Sequence, residues 1–224
     1  MTKVKLYFNK EKDLFNIWET CNKPPRFGYD FTKNMDSRLV SFLKGKKFKD
    51  CKGELAKRMA LVYNSKTLAQ IIKAAQLSWN SIEKEYFRRL ENITGKKLNI
   101  KLIRAYATTA SRCPYDLEGK SFMFNIFGNT FQIILTSAHE IMHFHFHKNY
   151  WAKVEKQVGK EKTADLKEAL TVLLNLEFKD LLINSDRGYP NHEKLREFIK
   201  QEWKKNKDFD KLIDSCIDYL KKKD

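Results

Sequence analysis

Two histidines and a glutamate lie within five consecutive residues past the middle of the chain. His139 and His143 are four residues apart and Glu140 follows the first of them, which gives the pattern HExxH. On a helix, residues at i and i+4 share one face, so the two imidazoles can bind one metal ion. Glu140 lies about 100° further around the helix, where its carboxylate can take a proton from water at the metal. The motif therefore predicts a hydrolytic metal site, and zinc is the ion that suits neutral imidazole ligands.

The segment around the motif has the composition of a long, largely buried helix. Residues 130–148 contain neither glycine nor proline and carry apolar side chains at helical spacing. Two histidines and a glutamate buried in such a helix are costly unless something satisfies their polar atoms, and a metal ion would do so. The alternative is a set of core histidines that are hydrogen-bonded to neighbouring carbonyl groups.

The motif resembles that of the zincin metallopeptidases, in which a helix carrying HExxH packs under a small sheet and a third metal ligand comes from further along the chain. The five residues after the motif, FHFHK, lack the glycine of the metzincin pattern. The gluzincin pattern takes its third ligand from a glutamate on a second helix, and Glu168 lies in an apolar helical pattern at residues 162–182. The resemblance covers roughly residues 96–185 at the level of motif order. It implies a zinc ion bound by His139, His143 and Glu168.

Two further histidines compete with Glu168. His147 continues the i, i+4 series from His143, but it lies one turn further along, roughly 6 Å away. We therefore expect it near the cleft and not on the metal. His145 points away from the face of the motif and is predicted to be structural or exposed to solvent.

Acidic residues and one cysteine are the other rivals. Glu161 and Asp165 lie near the start of their predicted helix, where acidic residues favour the helix dipole in any case. Glu177 lies more than two turns beyond Glu168 and is predicted to be a solvated charge. Peptide deformylases use an upstream cysteine with HExxH, but Cys113 lacks the flanking residues of those enzymes. It is predicted to be a small buried residue.

The gluzincin resemblance also points to a donor for the oxyanion. His192 follows a loop at residues 186–190 and begins a predicted helix, at a position reminiscent of the donor histidine of that group. Tyr115, Tyr150 and Tyr189 are competing donors. The alternative for His192 is a residue at a helix start that is exposed to solvent.

Composition limits the classes of protein that this chain can belong to. It has 224 residues, of which 42% are hydrophobic, enough for a substantial core. It contains no apolar run of about twenty residues, so no membrane span is expected, and its first residues lack the apolar stretch of a secretion signal. The four cysteines are far apart and form no CxxC pair. We therefore expect a reduced, cytoplasmic protein without structural disulfides.

The net charge is +16, and most of the basic residues are lysine. The lysines spread along the whole chain, with clusters at residues 44–52, 200–207 and 221–223. This pattern favours a solvated surface over a dedicated nucleic-acid site. A nucleic-acid partner stays an alternative beside a peptide or protein substrate, and the sequence leaves the oligomeric state open.

The pattern along the chain predicts an α+β fold that is mostly helical, with a small sheet packed on the HExxH helix and a second helix that bears a ligand. Strands are predicted at residues 4–8, 98–107 and 121–127, the last as an edge strand that could pair with a substrate. Residues 1–95 are predicted to be a helical region packed on the core, and residues 96–224 the zincin-like catalytic region with C-terminal helices. Helices are predicted at 10–21, 36–43, 53–63, 65–92, 130–148, 162–182, 191–205 and 208–222.

Together these features predict a zinc-dependent metallopeptidase that uses water and the general base Glu140. The alternative is a noncatalytic zincin-like protein that binds metal and contacts nucleic acid or a partner through its basic surface. The glutamate of the motif discriminates between them, because a structural zinc site does not need a base.

Overall fold

The computed structural model of the chain describes residues 2–222. Met1, Lys223 and Asp224 lie outside this part, so the predicted basic cluster at residues 221–223 is described only in part. Within residues 2–222 the protein is 65% helical and has one small sheet of four strands. The predicted α+β, mostly helical class is therefore confirmed at this level.

Three helices of the described chain exceed eighteen residues, and the others have thirteen or fewer. Within residues 2–222 the α-helices are α1 (Lys10–Asn22), α2 (Ser37–Leu43), α3 (Phe48–Arg58), α4 (Ala60–Tyr63), α5 (Lys66–Thr94), α6 (Thr130–Asn149), α7 (Trp151–Ala169), α8 (Leu174–Glu177), α9 (Glu193–Lys205) and α10 (Phe209–Lys221). Short 3-10 helices cover Phe31–Asn34, Leu170–Leu173 and Pro190–His192. No helix of this part of the chain is both long and apolar enough to cross a membrane.

Most predicted helices are confirmed to within a few residues. The one at residues 53–63 begins earlier, at Phe48, and is divided into α3 and α4 at Met59. The one at residues 162–182 is not continuous. It starts earlier, in α7, and changes to a 3-10 turn after Ala169 before α8 ends at Glu177. A side chain explains the tightening, because the Thr171 hydroxyl donates to the carbonyl oxygen of Glu168 at 2.7 Å. Such a bond to the preceding turn competes with regular helix geometry.

The strands form one sheet in the order β1-β2-β4-β3, with β1 (Lys3–Phe8), β2 (Leu102–Thr108), β3 (Tyr115–Asp116) and β4 (Ser121–Asn125). β1 and β4 both run parallel to β2, whereas β3 is antiparallel to β4. The predicted edge position of residues 121–127 is therefore wrong. Tyr115 pairs with Phe122, and the two-residue strand that results is too short to produce a period in the sequence.

The chain divides into two compact units. The sheet unit comprises residues 3–81 and 102–137, and the helical unit comprises Thr2 with residues 82–101 and 138–222 of the described chain. Each unit draws on residues from both sides of position 95. The predicted division into residues 1–95 and residues 96–224 stays a prediction.

In the sheet unit, α1 is fixed to the end of β2 by a buried carboxylate. Asp13 accepts hydrogen bonds from the hydroxyls of Thr108, Thr109 and Tyr63 at 2.6 to 2.8 Å, and from the backbone N–H of Thr109 at 2.8 Å. Four donors offset the cost of burying this charge. Apolar side chains of α1, α2 and α3, together with Ala110 after β2, form one buried cluster: Leu14, Ile17, Cys21, Leu43, Cys51, Leu55 and Ala110.

In the helical unit, the second half of α5 contacts α6. Tyr86 is fully buried, and its hydroxyl donates to the carbonyl oxygen of Ala138 at 2.7 Å. Its ring lies 5.1 Å from that of Phe178. Because Ala138 immediately precedes the motif, this contact holds the part of α6 from which the histidines project.

Candidate metal centre

The motif histidines lie side by side on α6, as their spacing requires. Their ring centroids are 4.4 Å apart. One ligand atom each of His139, Glu140 and His143 lies within 4.8 Å of the others, a group that could hold a metal ion. Asn129 caps the start of the helix, since its side chain accepts from the backbone N–H of Gln132 at 2.9 Å.

Glu168, the predicted third ligand, lies against both histidines. Its Oε2 atom is 3.4 Å from Nε2 of His139 and 3.2 Å from Nε2 of His143. The side chain is buried. The structure thus brings together the three residues that the sequence predicted as ligands, although they lie up to 29 positions apart along the chain. That they bind a metal stays a prediction.

A bend in α7 separates the part that follows the motif helix from the part that bears Glu168. Gly159 has φ +80° and ψ 168° and interrupts the helical backbone. Only glycine adopts this backbone conformation without strain. The Thr163 hydroxyl donates to the carbonyl oxygen of Gly159 at 2.7 Å and fixes the start of the second segment, at whose end Glu168 lies.

Asp186 binds the far side of His139. Its Oδ2 atom lies 2.6 Å from Nδ1 of that histidine. Asp186 is itself held by the Arg196 guanidinium at 2.9 Å, and the Thr171 hydroxyl lies 3.0 Å from the same carboxylate oxygen. With the Nδ1 proton directed at the carboxylate, Nε2 of His139 keeps its lone pair for a metal. Sequence reasoning missed this role, because Asp186 lies in a loop and no periodic pattern marks it.

The buried charges of the centre alter the pKa values of the motif residues. Burial and the charge of Lys167 lower the pKa of His143 to about 3, so that its imidazole is neutral. Burial opposes a charge on His139, but the Asp186 carboxylate outweighs it and raises the pKa to about 10. A proton therefore competes with a metal for His139. Burial raises the pKa of Glu168, yet the two histidines and Lys167 hold it well below its usual range.

Glu140 is buried on the same helix but has a different environment. Burial raises its pKa to about 7, although the charges of His139 and Lys167 act in the opposite direction. Its Oε2 atom is buried and has no hydrogen-bond partner within residues 2–222. A buried carboxylate oxygen without a partner is unusual and calls for a missing water, ion or ligand.

The other predicted site residues have partners of their own. His192 is buried, and its Nε2 atom lies 3.0 Å from Oδ1 of Asp165. The alternative that it is exposed to solvent is therefore wrong. Its role as an oxyanion donor stays a prediction. Its ring meets that of Tyr189 edge-on at 5.8 Å. His147 stacks on Trp151 at 4.2 Å.

His145 and Glu177 are held by structural contacts. Nε2 of His145 lies 3.0 Å from the Thr94 hydroxyl, which confirms the structural alternative for this residue. Glu177 accepts from Trp203 and Lys207. Cys113, which was expected to be buried, is only partly so.

The donor set fits zinc. Tetrahedral zinc with nitrogen and oxygen ligands at about 2.0–2.2 Å has ligand atoms about 3.3–3.6 Å apart. The separations of 3.2 and 3.4 Å between Glu168 and the two histidines are close to that spacing. Two imidazoles and one carboxylate are also a ligand set of catalytic zinc sites that keep one position open. The partnerless oxygen of Glu140 is consistent with a water molecule at that position.

Comparison of the chain with family models, curated proteins and solved structures finds no match in any of the three. A function for this chain therefore has to be inferred from the chemistry of the residues described above.

Proposed function

We propose that the chain is a zinc-dependent metallopeptidase with the ligand order of gluzincins. His139, His143 and Glu168 would hold the ion. The observation that carries the proposal is the position of Glu168, whose Oε2 atom lies within 3.4 Å of both histidine Nε2 atoms. Lys167 pairs with the other oxygen of this carboxylate, and a cation shared with Oε2 would account for the position of both imidazoles.

A zinc ion bound there would polarise a substrate carbonyl and lower the pKa of bound water. Glu140 is the base in this proposal. Its burial and a pKa of about 7 support a group that takes a proton near neutral pH, although a bound cation would lower that value. The same carboxyl then returns the proton to the leaving amine. Asp186 has the supporting role of holding His139 in the orientation in which Nε2 faces Glu168.

The order of elements supports a zincin-like interpretation of the core. β4 leads into the HExxH helix α6, and the next long helix, α7, ends one residue after Glu168. Binding of a peptide as an added strand along β4 receives no support, because β3 already pairs with Ser121 and Phe122. His192 remains our predicted oxyanion donor, and its Nε2 contact with Asp165 would orient the ring.

The other function to be weighed is a noncatalytic metal-binding protein with a basic surface for nucleic acid or a partner. Such a protein would need the three ligands but not a buried base beside them. Glu140 favours hydrolysis for this reason, and its substitution separates the two functions.

The experiment measures the zinc content of the purified protein and its cleavage of a mixed library of unstructured peptides, with and without a chelator. We expect one zinc per chain and cleavage that the chelator abolishes. Glu140→Gln should keep the zinc and the fold, while the cleavage rate falls by a factor on the order of 10² or more. Wild-type cleavage rates in Glu140→Gln would contradict the mechanism. One zinc per chain without cleavage would favour the noncatalytic function.

A further inference from the structure

Lys167 is a lysine buried in the helical unit, immediately before the predicted ligand Glu168. Its side chain is 0% exposed to solvent. Lysine is almost never fully buried unless its charge is paired, since removing an ammonium group from water is expensive. Nζ of Lys167 lies 2.5 Å from Oε1 of Glu168, which supplies that pairing.

The two oxygens of Glu168 therefore have different neighbours. Oε1 accepts from Lys167, while Oε2 faces Nε2 of both His139 and His143. A carboxylate that binds a metal can use one oxygen or both. An oxygen already held by a lysine at hydrogen-bond distance is not free to bind the metal as well. The positive charge of the lysine also opposes the approach of a cation on that side.

Lys167 and Glu168 are consecutive on α7, so their Cβ atoms point about 100° apart. The lysine side chain must curl back to reach the carboxylate. Its ammonium group bonds to the carboxylate whose other oxygen faces both motif histidines. The ammonium group is thus directed into the centre and not toward solvent.

We propose that Lys167 is a positioning residue that restricts Glu168 to a single metal-binding oxygen. This inference rests on the proposed metal site and adds a statement about its coordination. With one oxygen from Glu168 and one nitrogen from each histidine, three positions are filled and a fourth stays open for water. Binding through both carboxylate oxygens would raise the protein contribution to four and crowd that position.

The experiment substitutes Lys167→Met, which has nearly the same length but cannot donate, in the full-length chain. Wild type and variant are loaded with saturating zinc for X-ray absorption spectroscopy, and with cobalt for visible absorption. We expect coordination by four ligands in the wild type, and a rise to five in the variant as Oε1 joins the metal. The cobalt absorption of the variant should weaken accordingly, as it does when a four-coordinate site becomes five-coordinate.

The matched control is Lys162→Met on the same helix. Its Nζ donates to the carbonyl oxygen of Leu220 at 2.9 Å, outside the centre, so its spectra should equal those of the wild type. Identical spectra for Lys167→Met and wild type would overturn the inference and leave the proposed function intact. Failure of the wild type to bind zinc or cobalt would overturn both.

The wild type alone provides a second test if Lys167→Met does not fold. A carboxylate bound through both oxygens brings its carbon atom closer to the metal than one bound through a single oxygen. A close metal–carbon distance in the zinc-loaded wild type would overturn the inference without any variant. The longer distance of single-oxygen binding would support it.

Discussion

Asp186 Oδ2 lies 2.6 Å from His139 Nδ1, so a loop residue determines which nitrogen of the first motif histidine faces Glu168. The two residues are 47 positions apart, and the other oxygen of the aspartate is held by Arg196. Carboxylate partners of this kind fix the orientation of a ligand histidine and raise its basicity.

Asp186→Asn should therefore weaken zinc binding by about 10–100-fold, the usual cost of losing such a partner. Competition with a chromophoric chelator measures the dissociation constant. Asp180→Asn is the matched control, because it makes the same chemical change at an exposed carboxylate that pairs with Arg89. Equal zinc affinity in Asp186→Asn and the control would mean that the aspartate does not support a ligand.

Glu168→Gln should lose more zinc affinity than Asp186→Asn, beyond the ~10–100-fold range of a supporting residue, because it removes a charged ligand oxygen. Glu177→Gln makes the same chemical change at a glutamate that binds Trp203 and Lys207 instead, and it should keep the full metal content. Elemental analysis after gel filtration measures the zinc content of both variants. Retention of one zinc per chain in Glu168→Gln, with unchanged affinity, would show that the third ligand is another residue.

The contacts of Glu177 also predict that the free energy of unfolding depends on pH. Burial opposes its ionisation, but Lys207 and the indole of Trp203 bind the carboxylate and leave its pKa lowered. Because the pKa of Glu177 is lower in the folded state than in the unfolded state, its ionised carboxylate stabilises the folded protein at pH values above the unfolded pKa. This stabilisation is lost as the pH falls through the folded pKa. Glu177→Gln should cost about 1 kcal/mol at neutral pH and almost nothing in strong acid. Urea unfolding of both proteins at several pH values tests this, and a difference that grows toward low pH would contradict it.

A fragment that begins at residue 96 should not fold stably, in accord with the expectation that residues 1–95 pack on the core. The helical unit itself includes residues 82–94, whose Tyr86 is fully buried and bonded to Ala138. Loss of one such aromatic side chain costs about 3–5 kcal/mol, against a total stability of about 5–15 kcal/mol for a typical domain. Circular dichroism and thermal unfolding of fragment 96–224 check this. A cooperative transition like that of the whole chain would count against it.

Local pattern determined the elements from which this centre is built. The i, i+4 spacing of His139 and His143 requires only a helix, and a segment without glycine or proline forms one. The apolar period around Glu168 predicted a buried glutamate on a later helix, although it did not predict the bend at Gly159. The same reasoning found β1, β2 and β4 but not β3, since two residues cannot establish a period.

Tertiary structure decided which polar groups meet. The contact between Asp186 and His139 depends on the path of a loop, and the contact between Lys167 and Glu168 depends on how a long side chain curls within a buried space. The three-dimensional arrangement also put Oε2 of Glu168 within reach of both histidines. The periodic pattern of apolar residues in a helix or strand indicates which side chains of that element are buried. These contacts instead join distant segments or depend on side-chain rotamers. Their energies arise only when packing has already removed the groups from water, so the order of the residues alone does not determine them.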